Sequence, residues 1–167
     1  MIRKSVLLAV PVALLILAPM AAEARTGFIH VGGANGGASA AAGARGVAAR
    51  AHGTTTSSNG TVTHASGGAY AGTNGSRGWR ASSTSQNADG SVTHQGSAYA
   101  NGANGTVSSS NNFTRSASGG WSGSSSTSAT NKNTGNSYQG STTIDPTTGK
   151  PVHTGTCTNS AGAVIPC

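Results

Sequence analysis

Asn59-Gly60-Thr61-Val62-Thr63-His64, with Ala69-Tyr70-Ala71 behind it, is written a second time as Asp89-Gly90-Ser91-Val92-Thr93-His94, with Ala98-Tyr99-Ala100 behind it. A degraded third copy opens at Asn104-Gly105-Thr106-Val107 and carries Phe113 where the others carry tyrosine. Each copy starts with a turn dipeptide and runs into β-branched and hydroxyl residues, the pattern of a β-hairpin, and Asn59-Gly60 predicts a type I′ turn. Within Thr61-Val62-Thr63-His64, alternation puts Val62 and His64 on one side and the two threonines on the other. Similar punctuation at Asn74-Gly75, Asn101-Gly102 and Thr134-Gly135 predicts a run of short antiparallel strands. Val62 to Val92 and His64 to His94 are 30 residues apart, but Tyr70 to Tyr99 is 29. A strict solenoid does not tolerate that slip easily, so degenerate hairpin repeats in a meander or a loose β-stack fit better.

Outward from this phrase, composition sets the limits. Arg3 and Lys4 precede an apolar run from Val6 to Leu17, and Ala22-Glu23-Ala24 supplies a small-residue cleavage site, so residues 1–24 read as a secretory signal peptide. Pro11 and Pro19 interrupt the run, which is short for a membrane span of roughly 20 residues. The expectation is export through the Sec pathway to the periplasm, cell surface or extracellular space, with no transmembrane segment in the mature chain. Cleavage removes every leucine and both methionines. What remains is too poor in large apolar residues for an ordinary core, so disorder competes with a β fold, although low charge density favours collapse or self-association over an expanded coil.

Residues 25–53 hold the densest glycine and alanine and read as a flexible segment; a weak helix over 38–51 is the alternative, with Gly43 and Gly46 against it. Residues 54–141 form the Gly/Ser/Thr/Asn-rich β-repeat region. In residues 142–167, Asp145-Pro146-Thr147-Thr148-Gly149 is turn chemistry between two short strands. Cys157 and Cys167, two close cysteines in an exported chain, read as a disulfide. The fold class that follows is all-β or largely disordered, with short antiparallel strands in degenerate hairpin repeats after a flexible Gly/Ala-rich N-terminal segment.

Tyr138-Gln139-Gly140-Ser141-Thr142-Thr143, Val152-His153-Thr154-Gly155-Thr156-Cys157 and Ile165-Pro166-Cys167 resemble the tail of a group of small uncharacterised Gly/Ser/Thr-rich exported proteins of Gram-negative bacteria. The resemblance covers about the last 30 residues. It implies location and the C-terminal disulfide, and no activity.

Chemistry is sparse. Past residue 24, eight Lys or Arg face only Asp89 and Asp145, and the cations form no run. Such a field favours an anionic envelope surface over specific nucleic-acid readout, which needs a basic patch interleaved with aromatics. Two carboxylates, both in predicted turns, make no glycosidase-like pair, and no Gly-x-Ser-x-Gly elbow is present, so no catalytic residue is assigned and an enzyme is not expected. His64 and His94 occupy equivalent repeat positions, but with His30, His52 and His153 dispersed they read as exposed strand histidines, with no metal or cofactor assigned. Tyr70, Trp79, Tyr99 and Trp121 are candidate aromatics for stacking on sugar rings, against the plainer reading that they are simply the side chains available to bury. The functional expectation is an exported, non-enzymatic structural or adhesive protein of the envelope or matrix that self-associates; the alternative is a soluble binding module for polysaccharide or anionic envelope components.

Overall fold

The computed structural model describes residues 26–167, and the signal-peptide expectation for 1–24 lies outside them. The chain is all-β. Eleven strands follow one another: β1 (Gly27–Gly33), β2 (Gly36–Gly43), β3 (Gly46–Thr56), β4 (Val62–Gly72), β5 (Arg77–Gln86), β6 (Val92–Asn101), β7 (Gly105–Arg115), β8 (Trp121–Asn131), β9 (Ser137–Ile144), β10 (Pro151–Thr158) and β11 (Val164–Ile165). They form one sheet in sequence order, every pair antiparallel, and the first and last strands do not meet. Each strand touches only its sequence neighbours, so nothing is packed on either side. A single layer has no interior, and among the described residues no hydrophobic side chain is buried.

Hairpin turns set this meander. Five of them, Ser57–Gly60, Gly72–Gly75, Asn87–Gly90, Ser116–Gly119 and Asn159–Gly162, share one design: the fourth residue's N–H donates to the first residue's carbonyl at 2.9–3.0 Å, and that fourth residue is a glycine with positive φ. The expected type I′ turn at Asn59-Gly60 is corrected here, because type I′ needs positive φ at Asn59 and no non-glycine residue has it. The turn is instead type I followed by a left-handed glycine. Asn59, Asn74 and Asp89 place a side-chain oxygen 2.8–3.1 Å from the backbone N–H two residues on, which favours this turn over its mirror image.

The expectation of a flexible segment over 25–53 is also corrected, together with its helical alternative. From Gly27 onward these residues form β1, β2 and most of β3, in unbroken register with β4. Glycine and alanine have weak strand preference on their own. Here the ladder hydrogen bonds to a Thr- and Val-bearing neighbour decide, and three Gly-Ala-(Asn or Arg)-Gly connections at 33–36, 43–46 and 102–105 mark tight reversals that composition disguises as linker. At the other end β9 and β10 pair across the Asp145–Lys150 turn, and Cys157 is bonded to Cys167.

Candidate ligand-facing surfaces

Register partners share a side of the sheet and neighbours along a strand alternate, so the pairings sort every strand residue onto one of two faces. One face carries all five histidines: His30, His52, His64, His94 and His153. It also carries Arg50, Arg80 and Arg115, and we refer to it as the imidazole face. The opposite face is built mostly of alanine, serine, threonine and glycine, with Arg77 as its one charged strand residue.

The 29-against-30 slip in the repeat becomes a change of face. His64 and His94, an even number apart, stay together; Tyr70 and Tyr99, an odd number apart, part company. The four candidate stacking aromatics are therefore not one platform. Tyr70 and Trp121 lie on the imidazole face, Tyr70 over Gly78, where a Cβ would collide with its ring, and Trp121 opposite Arg115. Trp79 and Tyr99 lie on the small-residue face and are direct register partners.

Trp79 and Tyr99 divide that second face. On one side the row runs into Ala69 and Ala49; on the other it continues through Ser108 and Ser128 to Gln139. A shallow open trough of about 540 Å³ follows the polar side, with the two rings as one wall, Gln139 as the other and Ser97, Ser110 and Ser126 in its floor. Hydroxyls there bond across strands, as in Ser110 to Ser126 at 2.9 Å, and the Gln139 amide donates to Ser128 at 2.9 Å. Aromatic rings beside a bed of hydroxyls and one amide match the two faces of a sugar ring, apolar C–H on one and hydroxyl on the other.

On the imidazole face one local device occurs three times. Thr54 Oγ1 lies 3.0 Å from His64 Nδ1, Thr84 Oγ1 lies 2.8 Å from His94 Nδ1, and Thr142 Oγ1 lies 2.9 Å from His153 Nδ1, each threonine being the histidine's register partner. The bond fixes the ring and leaves Nε2 facing away from the threonine. In His153 that nitrogen is taken up by the Tyr138 hydroxyl at 3.0 Å. His52, by contrast, lies diagonally across from His64, with ring centroids 6.1 Å apart. Sequence reading missed this closeness because spacing along the chain does not reveal the β3–β4 register; with the hairpin turn placed at 57–61, the register follows and so does the pair.

Among the described residues no group of three or more His, Cys, Asp or Glu is gathered, and no helix is long and apolar enough to cross a membrane. No family model, curated protein or solved structure matches the chain.

Proposed function

We propose that the protein is an exported, non-enzymatic structural or adhesive component of the cell envelope or extracellular matrix, and that it works by self-association. The observation that supports this is the single layer: among the described residues, eleven strands without one buried hydrophobic side chain. Stable domains cover an apolar face with a second layer, and a sheet that carries no second layer gains one from another copy. Ten inter-strand spacings by about ten residues give each face roughly 1,600 Å², about twice the ~800 Å² per partner of a standard interface. Charge favours the small-residue face as the meeting surface, since two imidazole faces would bring two sets of three arginines together. The disulfide agrees with an oxidising compartment, as the signal-like N-terminus requires.

Sedimentation velocity over a concentration series tests this reading. The expected result is reversible self-association in which the face-to-face dimer is abolished by Ala69→Arg on the small-residue face and untouched by Ser82→Arg on the other. A wild-type chain that stays monomeric at high concentration for days overturns it.

The trough beside Trp79 and Tyr99 supports a second reading, a binding module for a neutral or anionic polysaccharide. It occupies the same face, so a bound glycan competes with self-association. A glycan array separates the two: saturable binding lost on Trp79→Ala but kept on Trp121→Ala favours the second reading, and no saturable binding sinks it.

A further inference from the structure

We infer that His52 and His64 form a two-imidazole site for a divalent transition-metal ion, Cu²⁺ in preference to Zn²⁺. Imidazole is the nitrogen ligand these ions share, and at a given nitrogen site Cu²⁺ binds more tightly. Metal–nitrogen bonds of about 2.1 Å allow two ring centroids that share one ion to lie up to ~6.4 Å apart. The observed 6.1 Å, with the rings tilted by 36°, is within that reach.

The surroundings are those of a ligand pair. With Thr54 Oγ1 accepting the Nδ1–H of His64 at 3.0 Å, the lone pair of that ring sits on Nε2, the nitrogen directed away from the threonine. His52 has glycine beside it at its β2 register position, and a Cβ at Gly37 would press on its Cε1 at 3.4 Å, so the glycine leaves the ring room to turn toward an ion. Arg50, two residues before His52 on the same face, is the nearby cation that would oppose binding. Its Nε donates to Ser39 on β2 at 3.0 Å, which draws the guanidinium away from β4 and from His64. Among the described residues no carboxylate lies on either face of the sheet, so the remaining coordination positions belong to water, or to a ligand brought by a partner.

His94 and His153 are internal controls, each with the same threonine bond but without a second imidazole stacked or tilted against it. The site lies on the face opposite the one through which copies are proposed to meet, so its test and the test of self-association fail independently.

The experiment is a calorimetric titration of the oxidised protein with Cu²⁺ and with Zn²⁺, read together with the electron paramagnetic resonance spectrum of the Cu²⁺ form. The expected result is one tight Cu²⁺ per chain, nitrogen superhyperfine structure from two imidazoles, and weaker Zn²⁺ binding. His52→Ala and His64→Ala should each cost at least ~tenfold in affinity, Thr54→Val should weaken binding by several-fold to ~tenfold, and His94→Ala should leave it unchanged. A spectrum of the wild type with one coordinated imidazole overturns the assignment, as does His94→Ala losing as much affinity as His64→Ala. Circular dichroism of each variant establishes that the sheet persists, and a wild-type spectrum with one coordinated imidazole overturns the assignment even if a variant does not fold.

Discussion

The two edges of the sheet are built to opposite ends. Among the described residues nothing covers β1, seven residues free of proline, lysine and bulge, and its Phe28, Ile29 and Val31 are 69%, 68% and 60% exposed. The far edge is partly blunted: β11 is two residues long and covers only Cys157 and Thr158 of β10, Pro166 follows it, Pro151 opens β10, and the Cys157–Cys167 bond closes the end. A row of unpaired backbone groups is a template for another strand, and short strands, proline and covalent closure are the usual guards against it. Edge pairing of β1 to β1 closes at two copies, and so does the meeting of one small-residue face with another, so species larger than a dimer need the edge contact and the face contact together.

The disulfide offers the largest test of that asymmetry. Closing a ten-residue separation stabilises the closed end by about 3 kcal/mol on the chain-entropy estimate. Because strands touch only their neighbours, reduction should release β11 and the end of β10 while β3 to β8 keep their protection. Amide hydrogen exchange with and without reductant reads this directly; uniform loss of protection would show a cooperativity that a one-dimensional chain of contacts does not provide. The open edge comes next. Phe28→Lys, on the imidazole side of β1 and off the proposed meeting face, should weaken edge-mediated dimerisation about tenfold, roughly 1.4 kcal/mol, whereas Ile165→Lys, on the same side of the guarded edge, should leave the sedimentation profile unchanged. Equal effects from the two lysines would erase the distinction. Smaller again is a change midway between the edges. Gly90→Ala forces a side chain onto φ +84 in the β5–β6 turn and should cost about 1 kcal/mol in urea denaturation, felt by those two strands before either edge.

How much of this could be read from the chain depended on where the information lay. Turn chemistry gave the strands of 54–144, the two cysteines gave the bond, and the alternation at Val62 and His64 gave their common face. The N-terminal strands were illegible because alanine and glycine advertise no strand; only pairing with β4 makes Ala48, Ala49 and Ala51 into a ladder. The aromatics were half legible. The missing residue between His94 and Tyr99, relative to His64 and Tyr70, already implied that the tyrosines face opposite ways, but that inference needs strands free of bulges, which the continuous registers of β4 and β6 supply. The His52–His64 pair was hidden for a related reason: it is a diagonal contact, and diagonals depend on register to the residue.

The smallest effect belongs to the β5–β6 turn and separates a turn's chemistry from the edges' protection. Asp89 Oδ1 accepts from the Ser91 hydroxyl at 2.6 Å and from the Ser91 N–H at 2.8 Å, the hydroxyl bond being the larger cause of a carboxyl held below the ordinary aspartate value of 3.8. A folded value below the unfolded one means that the carboxylate's contribution is fully present above the unfolded pKa, and is lost as pH falls through the folded one. Stability should therefore fall slightly below about pH 4 in the wild type, and Asp89→Asn should flatten that part of the profile while keeping an acceptor for the Ser91 N–H. Thr61 follows Asn59 in the equivalent β3–β4 turn, where the acceptor is already an amide at 3.1 Å, so that hairpin supplies the uncharged reference within the same molecule. Exchange rates for Gly90 and Gly60, followed side by side from pH 3 to pH 6, should diverge in the wild type and run parallel in the variant; divergence that survives the substitution would place its origin outside the carboxylate.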